Sequence, residues 1–186
     1  MNKTTLLTLL AFALLAIVST RAEDKAPAAP AAEAKAITPA ADGSVLLHSR
    51  DVTIHGKNVR YEPQPHKNTI GYWTKVEDWV SWDFEITKPG TFSVEILQGC
   101  GKGSGGSEVE ISAGDQVLKF TVKETGGFQD FLSRDIGQFT FTKPGRYTLT
   151  VKPKTKPGGA VMDLRQVMLR PATPDAGGKN TSKDKP

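Results

Sequence analysis

The chain has a single cysteine, Cys100. With no second thiol there is no internal disulfide, so any fold must rest on its non-covalent core. Cys100 ends an apolar stretch before a glycine loop and reads as a small buried side chain rather than a reactive thiol. There are only three histidines, His48, His55 and His66. They show neither metal-ligand spacing nor a partnered nucleophile, and are expected in loops or at the surface. Beyond residue 22 no segment keeps helical periodicity for more than two turns, which excludes bundles and α/β folds. No basic run is interleaved with aromatic residues, and the net charge is only +4, so nucleic acid is not an expected partner. The glycine run Gly99–Ser107 is not a phosphate loop, because Lys102 is followed by Gly103 and then by strand-forming residues.

The segments that are present have distinct compositions. Residues 1–22 read as a secretory signal peptide. Lys3 supplies the positive start, and Leu6–Val18 is an apolar run too short for a comfortable membrane span. Residues 23–43 are mostly Ala, Pro, Glu and Lys and read as a disordered linker. Residues 172–186, rich in Pro, Gly, Lys, Asp and Ser, read as a disordered tail. One domain remains, residues 44–171, of ordinary size for a single core. The expected location is periplasmic or extracellular, with no membrane span after signal cleavage.

Within the domain the dominant pattern is period two. Val80, Trp82, Phe84 and Ile86 alternate with Ser81, Asp83 and Glu85. Thr87-Lys88-Pro89-Gly90 is a turn sequence, proline presetting its first central position and glycine its second. Phe92, Val94 and Ile96 then resume the alternation, so the stretch predicts a β-hairpin. The phrase Ile86-Thr-Lys-Pro-Gly-Thr-Phe-Ser-Val-Glu-Ile96 recurs as Phe141-Thr-Lys-Pro-Gly-Arg-Tyr-Thr-Leu-Thr-Val151, predicting a second hairpin and hence a two-sheet sandwich. Val45–Leu47, Val52–Ile54, Glu108–Ser112 and Gln116–Lys123 are further strands, and Lys57–Asn68 is a loop. Ala160–Leu169 closes the domain; its apolar residues do not alternate, as expected of a central or bulged strand.

No catalytic set is evident. Glu77 and Asp78 are adjacent, so their side chains point apart at a strand start, and no second acid completes a glycosidase pair. Trp82 lies on the apolar face and belongs to the core. Trp79 is one position out of phase, suited to capping the sheet. Tyr72, Trp73 and Phe128 lie in loop approaches, where either packing or ligand contact accounts for them.

Three phrases in order resemble the carbohydrate-binding modules of the family 6 and family 35 kind. They are Ile70-Gly-Tyr-Trp with Glu-Asp-Trp-Val-Ser-Trp82, then Thr125-Gly-Gly-Phe-Gln129, then Val161-Met-Asp-Leu-Arg-Gln-Val-Met-Leu169. The variant is similar to modules appended to bacterial sulfatases and α-L-fucosidases. The resemblance implies an all-β fold: a galactose-binding-like jelly-roll β-sandwich of two antiparallel sheets. It implies a non-catalytic module for carbohydrate, with sulfated or fucose-bearing polysaccharide as the candidate ligand. The sugar would stack on Tyr72, Trp73 and Phe128, with Gln129 and Lys75 as polar contacts; Lys67 and Lys102 also stand in the loops. Where such modules place an asparagine before the last strand, this chain has Val161. Such modules often hold a structural calcium, but His48 and Arg50 stand where acids are expected, and only Asp163 remains of that set. No cofactor is therefore expected, and Arg50 or another cation is expected to pair with Asp163. The competing reading is a cell-envelope interaction or scaffold module, with an envelope or secreted protein as partner and no sugar affinity.

Cleavage after Ala22 predicts a mature chain beginning at Glu23. N-terminal sequencing of the exported protein should read Glu-Asp-Lys-Ala; retention of Met1 would contradict it.

Overall fold

The computed structural model describes residues 35–172. The signal-peptide reading, residues 23–34 of the linker and residues 173–186 of the tail lie outside the described residues. Those described form eleven strands and a single 3-10 turn, Ser49–Asp51. The strands are β1 (Val45–His48), β2 (Thr53–His55), β3 (Arg60–Glu62), β4 (Thr69–Gly71), β5 (Trp79–Ile86), β6 (Gly90–Gly99), β7 (Glu108–Ala113), β8 (Gln116–Thr121), β9 (Leu132–Phe141), β10 (Gly145–Pro153) and β11 (Asp163–Pro171). Two antiparallel sheets result. One runs β3-β4-β11-β6-β9, with β1 also paired to β11; the other runs β2-β5-β10-β7-β8. This is the expected all-β sandwich.

The two repeated phrases are not hairpins. β5 and β6 lie in different sheets, and so do β9 and β10. Each Thr-Lys-Pro-Gly turn is an arch that carries the chain across the core. The strands pair between repeats instead: β5 with β10, Ile86 opposite Gly145, and β6 with β9, Gly90 opposite Phe141. The alternation could not reveal this. In a hairpin and in an arch alike the apolar side chains of both strands point at the core; only the hydrogen-bond partner differs.

The arches bring five aromatic rings together. Phe141 lies edge-on to Phe84 (5.8 Å between centroids), Phe92 (5.6 Å) and Tyr147 (4.7 Å), and is tilted to Phe139 (6.3 Å). Edge-to-face pairs gain from ring quadrupoles beyond the area they bury. Val80, Trp82, Phe84, Val94, Ile96, Leu149 and Val151 continue the core away from the arches. Trp82 donates its Nε1–H to the His48 carbonyl (2.8 Å), so the polar edge of this core indole is satisfied.

The closing strand starts three residues later than expected and is central, with β6 on one side and β1 and β4 on the other. A bulge between Leu164 and Gln166 leaves Arg165 out of the ladder with β6. Three other expectations need correction. The predicted loop 57–68 contains β3. His48 is buried, and burial, with Arg50 second, holds its pKa below the usual histidine value. The linker gives way to ordered chain before residue 43: Ile37 N–H donates to the Asp83 carbonyl and the Ile37 carbonyl accepts from Glu85 N–H, both at 2.9 Å. Ile37 is the one large apolar residue of that segment, and it packs against the core.

β6 fixes the long axis. Phe92, near the arches, pairs with Pro171, while Gly99 at the far end pairs with Asp163. At strand rise these levels are on the order of 25 Å apart. The chain enters β1 and leaves β11 at the arch pole, where Gly43 lies beside Pro171 and Ala172 N–H donates to the Thr91 carbonyl (2.8 Å).

Phe141→Ala should remove the centre of the aromatic cluster and cost about 3–5 kcal/mol. Urea denaturation checks it; a loss below about 1 kcal/mol would mean that the arches do not depend on this packing.

Candidate functional site

The pole opposite the arches carries a cleft of about 250 Å³, lined by Glu62, Lys67, Tyr72, Thr74, Phe128, Gln129, Ala160 and Asp163. Its residues come from β3, the 63–68 loop, the loop after β4, the β8–β9 loop, the β10–β11 loop and the start of β11.

Tyr72 and Trp73 split in opposite directions. Tyr72 is 49% exposed and adopts a left-handed backbone, φ +52°. That conformation is uncommon for a bulky residue and here turns the phenol outward. Arg60 places its guanidinium carbon 3.4 Å from the ring centroid, and Lys67 Nζ stands over the ring at 5.9 Å. Trp73 is wholly buried. Its Nε1–H donates to the Asp78 carbonyl (2.9 Å) and its own carbonyl accepts from Val161 N–H (2.8 Å). Trp73 therefore anchors the loop that presents Tyr72 and offers no stacking face, a correction to its place among the ligand residues.

Phe128 is half-buried, and its loop depends on glycine clearance. A Cβ at Gly99 would collide with the Phe128 carbonyl, and one at Gly101 would lie 2.6 Å from the Phe128 ring. Thr125 straps the two segments: its Oγ1 accepts from Cys100 N–H (2.8 Å) and its N–H donates to the Cys100 carbonyl (2.9 Å). The glycine run of the sequence thus makes room for the Phe128 loop. Its Gly103 N–H donates to Glu124 Oε1 (2.8 Å), so the chain's own carboxylate takes a donor a phosphate loop would offer its ligand. Cys100 is buried, and burial, with Glu124 and Asp163 nearby, pushes its thiol up to about 11.

Sequence reasoning missed Glu62 and, as a cleft residue, Asp163. These carboxylates come from strands about a hundred residues apart and meet at Gly71, where a Cβ would collide with Glu62 Oε2 and lie 3.1 Å from Asp163 Oδ1. Lys67 Nζ bonds Glu62 Oε1 at 2.6 Å, and this bond holds the lysine pKa above its usual value. Asp163 accepts from Gln129 Nε2 (3.2 Å). Burial first, then the Glu62 charge, raise its pKa to about 7. Both acids lie against the same glycine; glycosidic cleavage needs carboxyls flanking the bond.

The calcium reading does not fit these residues. Glu62 and Asp163 supply two carboxylates with an ammonium already on one of them, and no group of three His, Cys, Asp or Glu side chains suited to a metal occurs among the described residues. Nor does Arg50 pair with Asp163: it lies 3.9 Å from Asp51. Arg165, out of the β-ladder, donates to the His66 and Lys67 carbonyls (3.2 and 2.7 Å) and stacks on Phe131. It thereby ties the 63–68 loop to β11.

Lys75 lies elsewhere, on a separate hollow lined also by Asn58, Glu77, Asp78 and Trp79. There Trp79 is stacked by His55 (3.6 Å, 5° between planes) and approached by Lys152 Nζ at 4.2 Å. Asp78 is buried and accepts from the backbone N–H groups of Lys57, Asn58 and Val59 at 3.0–3.1 Å, a structural role. A larger hollow of about 680 Å³ lies at the arch pole, but its one aromatic, Phe92, is buried.

Trp73→Ala should cost about 3–5 kcal/mol of stability, whereas Tyr72→Ala, at an exposed ring, should cost under about 1 kcal/mol. Denaturation of the two variants side by side checks the division of labour; equal losses would refute it.

The same sandwich recurs in solved structures at low sequence identity. The C-terminal family 6 carbohydrate-binding module of LamC from Zobellia galactanivorans is 15% identical, with a TM-score of 0.55 over 68% of this chain and 98% of that one. A family 35 carbohydrate-binding module from Clostridium thermocellum is 12% identical, with a TM-score of 0.55 over 69% of this chain and 98% of that one. The mosquito-larvicidal Cry4Aa toxin of Bacillus thuringiensis is 11% identical, with a TM-score of 0.56 over 70% of this chain and 24% of that one. The architecture is thus that of family 6 and 35 modules, and it also serves in a toxin; fold alone does not assign function. No curated protein sequence matches the chain. A family match over residues 55–173 covers every strand that lines the cleft, and the chain belongs to the family described as domain of unknown function DUF5077.

Proposed function

We propose that the domain is a non-catalytic carbohydrate-binding module of an exported protein, with its ligand in the Tyr72–Phe128 cleft. The observation that carries this reading is the lining itself. A half-exposed tyrosine ring and a half-buried phenylalanine share a small cleft with an amide, a hydroxyl, a lysine and two carboxyl groups. Sugar rings offer apolar C–H faces for aromatic stacking and hydroxyls for such polar groups. Val161 stands where the resembled modules carry an asparagine, so Gln129 and Thr74 are the uncharged side chains left to bind hydroxyls. Export rests on the N-terminal reading; among the described residues no helix is long and apolar enough to cross a membrane.

Of the two ligand classes implied by the resemblance, fucose-bearing polysaccharide suits this lining better than sulfated polysaccharide. Lys67 is the one lysine in the cleft, and it is bonded to Glu62. Lys75 lines another hollow, and Lys102 is exposed in the glycine loop. A sulfate would meet two carboxyl groups and one neutralised cation.

A glycan and polysaccharide panel, run with Tyr72→Ala and Phe128→Ala, tests the proposal. Binding should survive moderate salt and fall about 5- to 30-fold in each variant, the effect of about 1–2 kcal/mol. Binding that salt abolishes and neither variant changes would be surface charge attraction. No binding across the panel would overturn the proposal in favour of a scaffold module.

A further inference from the structure

We infer that the cleft takes an amino sugar, its ammonium at the Asp163 carboxyl and its ring against Tyr72 and Phe128; this rests on the carbohydrate reading and names its substrate class. Asp163 is only 4% exposed, yet it lines the cleft. Among the described residues its carboxyl receives one hydrogen bond, from the exposed Gln129. A buried carboxylate is ordinarily matched by a cation or by several donors. The group brought against this one at Gly71 is another acid, Glu62 from β3.

Neither neighbouring cation has a hydrogen bond to Asp163 among the described residues, although the Nε of Arg165 is buried with no partner. Lys67, from the 63–68 loop, is bonded to Glu62. Arg165, two residues along β11, gives its Nη2 to two backbone carbonyls and its plane to Phe131. Cys100, at the end of β6, is a neutral thiol at physiological pH. Each cation lowers the Asp163 pKa somewhat, but burial and Glu62 prevail and leave it at about 7. A ligand ammonium would answer both deficits, donating to Asp163 and offsetting the repulsion between the two acids. A hydroxyl could supply the bond but not the charge, and an acetylated nitrogen likewise.

The test uses the full mature chain and three matched β-1,4-linked tetrasaccharides: of glucosamine, of N-acetylglucosamine and of glucose. Titration calorimetry at about pH 7 and near-physiological salt should show the glucosamine oligomer binding about tenfold or more tightly than the other two, as a charge-assisted hydrogen bond would give. Asp163→Asn should abolish that preference. Glu62→Gln should reduce it, and serves if the first variant folds poorly. Lys67→Met should raise it, the reverse of what anion binding requires. As the pH is lowered below about 7, where free Asp163 takes up a proton, binding of the ammonium should release protons in growing proportion, read from the heat in two buffers of different ionisation enthalpy. Equal binding of all three oligomers, or a preference untouched by Asp163→Asn, would overturn the inference and leave the carbohydrate reading standing. So would failure of all three while another glycan of the panel binds. Failure of every glycan would overturn both.

Discussion

The structure depends on the pairing of two arches. Each Thr-Lys-Pro-Gly turn hands the chain from one sheet to the other, and the two crossings hydrogen-bond to each other, β5 to β10 and β6 to β9. Neither crossing closes on itself, so each strand of one takes a backbone partner from the other, with β2, β11 and β7 adding partners to β5, β6 and β10. The Phe141 cluster fills the space between them. Once the arches are set, β6 and β11 define the long axis, and the loops at the far pole have a fixed frame to work from.

That frame is used economically. One adjacent pair, Tyr72 and Trp73, serves as both exposed ring and anchor, because a left-handed residue sends consecutive side chains to different places. Glycines at 71, 99 and 101 remove side chains where two carboxyls and the Phe128 loop must approach the backbone. The aromatic walls of the cleft are therefore held by core packing and steric clearance. Its polar floor joins the Glu62–Lys67 ion pair to the buried Asp163.

Much of the fold was legible in the sequence. The alternation of Val80–Ile86 and Phe92–Ile96 gives strand identity and core face, and the repeated phrase gives two related crossings. Sheet membership was not legible, because period two is blind to the strand across the ladder. Of the site, Tyr72, Phe128 and Gln129 were readable from loop position and resemblance, and the structure puts all three in one cleft. Trp73 was misread because an aromatic next to a turn carries no mark of its direction. Lys75 was grouped with Lys67 and Lys102 as a loop lysine, and loop position does not say which hollow a side chain lines. Glu62 and Asp163 meet only through the β3–β4–β11 neighbourhood, which no local pattern encodes. The glycine run was read as a connection and not a phosphate loop; what the sequence did not show is that Gly99 and Gly101 clear space for the Phe128 loop.

Both ends of the described domain pass through the arch pole, where Gly43 lies beside Pro171. The cleft is at the other end of β6 and β11, on the order of 25 Å away. Ile37 bridges Phe84 in parallel with β5, so the ordered chain ahead of β1 runs up the flank of the sandwich towards the arch pole, whereas β11 ends at that pole: the two connections meet the domain from different directions.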